Sequence, residues 1–297
     1  MAFSGATTLT SSARIDAHTR SMLGGTYCEL SDGVTHYRLS GPVDGQLVVL
    51  VHGATVPHWI WDALADCLSA NGLRVLRYDQ FGRGYSDRPG VAYNRALYER
   101  QLDELVHHLD LQDPFHLVGL SMGGATAVTY TAHHPDRVRR LVLIAPVINN
   151  FKVPPVLRLP VAGELVLRLV GQRFMRKRFA ELTETLPDFE RIQLKFVEQT
   201  AYKGFHRSFL SMMRNDALGS YDTVYRIVGQ QDREILLIWG EEDAEISAEM
   251  IADVRRFMPN LHFRPVADAG HGIVLEKPDL VNDWILWFLR GENRPQG

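Results

Sequence analysis

Apolar runs of strand length alternate with longer segments of helical periodicity along most of this 297-residue chain. Parallel strands need a crossover segment between them, so this alternation favours a mostly parallel sheet with helices on both faces. The run 47–51 is entirely aliphatic, as is typical of a strand buried on both faces. Strands are predicted at 27–30, 35–39, 46–52, 73–78, 115–118, 139–145, 235–239 and 261–266, the first two as an antiparallel pair. Helices are predicted at 59–70, 93–111, 125–134 and 278–290.

The segment Gly119-Leu120-Ser121-Met122-Gly123 places a serine between a predicted strand and a predicted helix. So abrupt a turn brings the start of the helix against the strand, and glycine permits this approach because it has no Cβ. The serine hydroxyl is then presented at the end of the sheet. We interpret the segment as a nucleophile elbow with Ser121 as the nucleophile; the alternative is a glycine-rich turn without chemistry.

A serine hydroxyl is a weak nucleophile at neutral pH, so it needs a base, and the base needs an orienting carboxylate. His271 lies between two glycines just after the last predicted strand, and Asp243 follows the strand 235–239. Ser121, Asp243 and His271 therefore all follow strands, at the edge where open α/β sheets bind ligands. We predict that these three side chains form a catalytic triad. The alternatives for the carboxylate are Glu241, Glu242, Glu245 and Asp268.

Acyl transfer forms an oxyanion that requires preorganised hydrogen-bond donors. The predicted donors are the backbone N–H of Met122 and that of Ala54, which lies in the loop after the strand 46–52. His52, at the start of this loop, is predicted to be structural. Trp59 either packs against the following helix or lines a site for the acyl group. The residues predicted to contact an apolar substrate are His58, Trp59, Leu120, Phe209 and Val274.

The alternation of strand and helix patterns stops between residues 147 and 231. Helical periodicity continues there, without apolar runs of strand length. This segment contains 13 Lys or Arg against eight Asp or Glu, so its net charge is +5. Its basic run 173–178 is interpreted as a solvated helix face rather than a phosphate or membrane site. The predicted organisation is an N-terminal arm at 1–25, partly mobile, a core formed by 26–146 and 232–297, and a helical insertion at 147–231.

Composition is that of an ordinary globular protein and excludes several classes of function. A net charge of −3 without a dominant basic stripe gives no reason to expect nucleic acid as a partner. No apolar run reaches the length of about 18 residues needed to cross a bilayer, so no membrane insertion is expected. The two cysteines have no metal-binding spacing and are expected to be free thiols. Since the N-terminus lacks the apolar segment of a signal peptide, a cytoplasmic location is expected.

Five motifs together resemble those of the α/β-hydrolase superfamily, in particular its small capped esterases, lipases and C–C hydrolases. The motifs are His52-Gly53, Asp79-Gln80-Phe81-Gly82-Arg83-Gly84-Tyr85-Ser86, Gly119-Leu120-Ser121-Met122-Gly123-Gly124, Gly240-Glu241-Glu242-Asp243 and Gly270-His271. The resemblance spans about residues 26–292 and implies an eight-stranded sheet with a helical cap inserted after strand six. It also implies the chain order nucleophile, acid, histidine. One departure is Ser247, four residues after the acid, where relatives often have proline.

The resemblance also favours some reactions over others. Haloalkane dehalogenases and epoxide hydrolases of this superfamily use aspartate at the elbow, so Ser121 argues against both reactions. Hydrolases of ring-cleavage products typically have a longer glycine-rich oxyanion loop and asparagine before the serine. This chain has Ala54-Thr55-Val56-Pro57 and Leu120 at those places, which disfavours C–C hydrolysis.

These observations predict a serine hydrolase that cleaves carboxylic esters of a small apolar substrate through an acyl-enzyme. The expected partners are the ester and water, and no metal or organic cofactor is expected. A lactonase, a thioesterase or a C–C hydrolase would use the same residues. A receptor that keeps the triad but works by binding is the alternative from a different class.

Overall fold

The computed structural model describes residues 13–111, 114–149, 153–184, 186 and 188–291. Within these residues, one sheet contains eight strands, β1 to β8. They span Thr26–Leu30, Gly33–Ser40, Leu47–Val51, Arg74–Tyr78, Phe115–Leu120, Val138–Ile144, Ile235–Gly240 and His262–Val266. The strand order is β1-β2-β4-β3-β5-β6-β7-β8, with antiparallel pairing at β1–β2 and β2–β4 and parallel pairing elsewhere. The predicted α/β fold with a mostly parallel, eight-stranded sheet is confirmed.

Thirteen α-helices, α1 to α13, are assigned in the described part of the chain. They span Ala17–Leu23, Asp62–Ala70, Arg95–His108, Met122–His133, Pro155–Arg158, Ala162–Val166, Gln172–Thr183, Phe189–Thr200, Phe205–Arg214, Asp222–Gly229, Ala248–Phe257, Ile273–Glu276 and Pro278–Arg290. Short 3-10 segments lie at His58–Trp61, Pro135–Arg137 and Asp216–Leu218, and a π-helical segment lies at Leu167–Gly171. Helix α4 begins three residues earlier than predicted, directly after the serine of the elbow.

Helices cover both faces of the sheet, as the aliphatic run of β3 requires. Val49 and Val51 point into one apolar cluster, which includes side chains of α3, α4, α10 and α11. Val48 and Leu50 point into a second cluster, formed with α2, α12 and α13. All five residues of β3 are buried. Alternate residues thus supply both layers of the core, which is why this strand contains no polar side chain.

Six helices, α5 to α10, lie between β6 and β7, the place where the resemblance implies a cap. They contribute a third apolar cluster that is separate from the two layers on the sheet. Its buried members are Met175, Phe179, Leu186, Ile192, Phe196 and Phe205. The division of the chain at residues 147 and 231 stays a prediction.

Part of the N-terminal arm contacts the insertion at the turn between α8 and α9. Asp16 caps α1 by accepting a hydrogen bond of 2.8 Å from the backbone N–H of Thr19. Lys203 N–H donates to the carbonyl of Ala13 at 2.8 Å. Residues 1–12 lie outside the described residues, and the mobility of the arm stays a prediction. Among the helices of the described ranges, none combines the length and apolar character needed to cross a membrane.

Candidate active site

Ser121 occupies a strained turn between β5 and α4. Its backbone angles are φ 55° and ψ −119°, a conformation that residues other than glycine rarely adopt. A Cβ at Gly119 would lie 2.4 Å from the carbonyl oxygen of Gly123, and a Cβ at Gly123 would lie 2.2 Å from that of Val51. The two glycines therefore allow the helix to start against β5 and β3, and this packing maintains the conformation of Ser121.

Ser121, His271 and Asp243 form a chain of hydrogen bonds. The Oγ of Ser121 lies 3.1 Å from Nε2 of His271, and Nδ1 of His271 lies 2.8 Å from Oδ2 of Asp243. With Nδ1–H donating to the carboxylate, Nε2 retains its lone pair and can accept the serine proton. The structure thus brings together the three side chains that the sequence predicts.

Asp243 is held by the loop that follows β7. Its side chain is fully buried, and its Oδ1 accepts hydrogen bonds from the backbone N–H groups of Glu245 at 2.8 Å and Ile246 at 2.9 Å. These bonds orient Oδ2 toward His271. Among the described residues, none of the other four carboxylates considered from the sequence lies within 4 Å of a nitrogen of His271.

Two opposing effects set the pKa of His271. Burial lowers it, because desolvation disfavours the imidazolium, whereas the hydrogen bond to Asp243 and the negative charge of Asp243 raise it. The charges of Glu245 and Glu276 also raise it, and the net result is a pKa above the ordinary value of 6.5. The imidazolium formed during proton transfer is therefore stabilised by nearby carboxylates.

The loop after β3 lies against the nucleophile. A Cβ at Gly53 would be 3.2 Å from the Cβ of Ser121, so the backbone of this loop is in contact with the serine. In the part of the chain that the structure describes, no group accepts a hydrogen bond from the N–H of Met122 or from that of Ala54. These two N–H groups therefore stay the predicted oxyanion donors.

His52 holds this loop in place as a neutral imidazole. Its Nδ1 donates to the carbonyl of Gly53 at 2.7 Å, and its Nε2 accepts from the backbone N–H of Gln80 at 2.9 Å. Burial lowers the pKa of His52 to about 4. These contacts fit the structural role predicted for His52.

Arg83 is a residue of this site that sequence reasoning missed. Its guanidinium is fully buried, donates from Nε to the carbonyl of Ala54 and donates from Nη1 to the hydroxyl of Ser208 at 3.1 Å. It also lies over the rings of Phe205 and Phe209, at 5.4 and 5.3 Å from their centroids. Arg83 thus connects the loop after β3, called the oxyanion loop below, to helix α9. Its position in a glycine-rich loop gave no signal of this contact in the sequence.

A cavity of about 390 Å³ adjoins Ser121 and His271. Its lining is mainly apolar, and Thr55 and Glu245 are the other polar residues among the described residues that line it. The larger apolar side chains around it are Leu157, Leu167, Met175, Phe179, Phe196, Phe209, Met212, Met213 and Leu218. Of the five residues predicted to contact substrate, the structure places Phe209 in this lining.

The other four residues predicted to contact substrate are placed elsewhere, outside the described lining of this cavity. Leu120 and Val274 are buried in the apolar layer shared with α2 and α13. Trp59 lies beneath the ammonium group of Lys195, 5.3 Å from the ring centroid. His58 is buried and donates from both its backbone N–H and Nδ1 to the carboxylate of Asp79, at 2.9 and 2.7 Å. Long-range packing that periodicity does not reveal sets these positions.

Asp79 joins His58 and His36 in a buried cluster whose potential ligand atoms all lie within 4.8 Å of one another. His36 Nδ1 lies 2.8 Å from Oδ2 of Asp79, and Tyr85 N–H donates to the same oxygen at 2.9 Å. Burial raises the pKa of Asp79, but the two histidines lower it more, so it lies well below the ordinary value. Since donors and acceptor satisfy one another, the cluster is explained as a structural link between β2, the loop after β3 and the loop after β4.

Comparison with known proteins agrees with this fold. Residues 46–278 match the family model described as alpha/beta hydrolase fold. The chain belongs to this family. It is 26% identical over 271 residues to carboxylesterase YbfK of Bacillus subtilis (strain 168), covering 89% of this chain and 87% of that protein. It is 30% identical over 215 residues to 2-hydroxymuconate semialdehyde hydrolase of Pseudomonas putida, covering 70% and 74% of the two chains.

Solved structures of the same fold are also similar. The enol-lactonase from Burkholderia xenovorans LB400 aligns with a TM-score of 0.75 at 20% identity, covering 89% of this chain and all of that one. At this identity the likeness shows the fold alone. The relatives found by sequence include a carboxylesterase, several hydrolases, a putative synthase and a decarboxylase. The family therefore establishes the fold but does not identify the bond that is cleaved.

Proposed function

We propose that this chain is a serine hydrolase that cleaves carboxylic esters of a small, uncharged, apolar substrate through an acyl-enzyme intermediate. The observation that carries the proposal is the hydrogen-bonded chain from Ser121 through His271 to Asp243 at the wall of an apolar cavity. A strained elbow that presents a serine to the imidazole of a histidine has the geometry that acyl transfer needs.

In the proposed mechanism, Ser121 Oγ attacks the ester carbonyl while Nε2 of His271 removes its proton. Asp243 stabilises the imidazolium, and the N–H groups of Met122 and Ala54 donate to the oxyanion. His271 then protonates the alcohol, which leaves. Water repeats the cycle on the acyl-enzyme, with His271 again as base, and releases the carboxylic acid.

The charge of the cavity wall supports an uncharged acyl group. Glu245 is acidic, and the described residues that line the cavity include no Lys or Arg. An anionic substrate would lose hydration without gaining a counter-ion there. Some relatives of this chain, such as 2-hydroxy-6-oxo-6-phenylhexa-2,4-dienoate hydrolase of Comamonas testosteroni, are named for a carboxylate substrate. The wall of this cavity therefore favours ester cleavage over hydrolysis of such dienoates.

Replacement of the nucleophile tests the proposal. We expect Ser121→Ala to lower kcat by about 10⁴-fold or more on an aryl ester and to abolish labelling by a fluorophosphonate, without lowering the thermal unfolding midpoint. Ser21→Ala is the matched control, since Ser21 is exposed on α1 and should keep both activity and labelling. Normal turnover by Ser121→Ala would refute the assignment.

A substrate series tests the acyl preference. We expect kcat/KM for p-nitrophenyl esters to rise about fourfold for each added methylene until the cavity is filled, because burial of each methylene contributes about 0.8 kcal/mol. An ester whose acyl chain ends in a carboxylate should react more slowly than the neutral ester of equal length. Equal rates for the two would contradict the proposed role of the cavity wall.

A further inference from the structure

A second cleft, of about 410 Å³, lies outside the catalytic cavity. The N-terminal arm, the loop after β4 and the start of α9 form it. Its described lining residues are Arg14, Ile15, Asp87, Arg88, Lys203, Gly204 and Arg207. It shares none of these with the described lining of the cavity beside Ser121. Four of the seven residues are basic, and one is acidic.

The acidic side chain does not neutralise this charge. Oδ1 of Asp87 is paired with Arg20, and its Oδ2 accepts from the backbone N–H of Val34 at 2.8 Å. Both oxygens are therefore occupied by groups outside the cleft. Across the described ranges, none of the four basic side chains of the cleft forms an ion pair. Like charges gathered without a counter-ion repel one another, and a bound anion would relieve this repulsion.

Arg88 is held rigidly at the wall of the cleft. Its two terminal nitrogens donate to the carbonyls of Ser86 and Gly84, and its guanidinium lies over the ring of Tyr202 at 5.6 Å. Its Nε is buried and has no hydrogen-bond partner among the described residues. Burial lowers the pKa of Arg88 to about 10, so the group stays charged at neutral pH. This fixed cation therefore adds positive charge to the wall of the cleft.

The start of helix α9 adds backbone donors to the same place. Gly204 is the N-cap residue of this ten-residue helix and has φ 95°. The backbone N–H groups of His206 and Arg207 donate to no group in the described part of the chain. The positive end of a helix dipole and its free N–H groups attract anions.

We propose that this cleft binds the phosphate group of a small molecule. A phosphate has several strong acceptor oxygens and a charge near −2, which suits donors that come from three separate segments. A carboxylate has only two acceptor oxygens and a single negative charge, so it would pair with fewer of these donors. The site does not depend on the proposed ester hydrolysis, because it is separate from the cavity beside Ser121.

Titration calorimetry with inorganic phosphate at constant ionic strength tests this site on the full chain. We expect one saturable binding event, and weaker binding of acetate. The double variant Arg14→Gln, Lys203→Gln should bind phosphate about tenfold or more weakly, since two charge-assisted hydrogen bonds are lost. Both side chains are exposed, and neither forms a hydrogen bond with another described residue, so the variant should fold normally.

The matched control is the double variant Arg173→Gln, Arg176→Gln. It removes the same charge from exposed positions on α7, outside the cleft, and should bind phosphate like the parent chain. Absence of saturable binding, binding of acetate as tight as that of phosphate, or equal weakening in the two double variants would overturn the proposal.

Discussion

His271 must be neutral to accept the proton of Ser121, so its pKa determines how the proposed activity depends on pH. Burial lowers this pKa, but the hydrogen bond and charge of Asp243, with Glu245 and Glu276, raise it above 6.5. Below its pKa the imidazole is protonated and cannot act as base. We therefore expect kcat/KM to fall as the pH decreases through a value above 6.5.

The variant Glu245→Gln separates one contribution to this pKa. It removes a negative charge that stabilises the imidazolium, so the acidic limb of the profile of kcat/KM against pH should move to lower pH. Glu249→Gln is the matched control: Glu249 is exposed on α11, and its charge is not among those that shift His271. If the acidic limb of Glu245→Gln stays at the same pH or moves to higher pH, this explanation of the pKa of His271 is contradicted.

Local motifs predicted which polar side chains would meet, but not what the apolar ones would face. Ser121, Asp243 and His271 follow parallel strands, and the carboxyl ends of such strands lie at one edge of a sheet. No comparable rule places Trp59 or Val274, because their surroundings depend on how distant helices pack. Periodicity shows that a side chain is apolar and gives no information about which cavity it lines.

The loop after β4 and helix α9 meet the oxyanion loop through one buried cation. Arg83 donates to Ala54 O, to Ser208 and to the sulfur of Met212, and among the described residues no carboxylate neutralises it. We infer that Arg83 positions the N–H of Ala54 and adds positive potential where the oxyanion forms. This role requires three elements that are distant in sequence to converge.

Substitution of Arg83 tests this role. Arg83→Met keeps the approximate length of the side chain but removes its charge and its hydrogen bonds, so we expect kcat to fall by about 10-fold to 100-fold. Arg83→Lys should recover part of kcat, since it restores the charge. The control Arg100→Met changes an exposed arginine of α3 and should leave kcat unchanged. If Arg83→Met lowers the unfolding midpoint alone, with kcat unchanged, the residue is only structural.

Helix boundaries were less predictable than helices themselves. Gly123 and Gly124 have low helix propensity, yet α4 begins at Met122 because Ser121 O accepts from the N–H groups of Gly124 and Ala125. Helix α11 was not predicted, although its signal exists. Ser247 caps it by accepting from Met250 N–H at 3.4 Å, and Ile251, Val254 and Phe257 form its buried stripe.

Three buried ionisable groups link the stability of the fold to pH. Burial lowers the pKa of His52 to about 4 and that of His116 to about 3, and Asp79 titrates well below its ordinary value. A depressed pKa means that the unfolded chain binds protons at a higher pH than the folded chain does. The free energy of unfolding should therefore decrease as the pH falls below about 6.5, first through the histidines and then through Asp79.

His116 provides a test of this linkage, because its Nδ1 is buried without a partner in the described part of the chain. It lies at the start of β5, whereas Ser121 follows the end of that strand. Between pH 7 and pH 5 the unfolded imidazole becomes charged while the folded one stays neutral, which costs about 2 kcal/mol of stability. His116→Gln does not have this cost. The decrease in the free energy of unfolding from pH 7 to pH 5, measured with urea, should therefore be about 2 kcal/mol smaller in His116→Gln than in the parent chain. His107→Gln is the matched control, since His107 is exposed on α3 and should keep the pH dependence of the parent chain. Equal pH dependence in all three proteins would mean that His116 is already protonated in the folded state at pH 5.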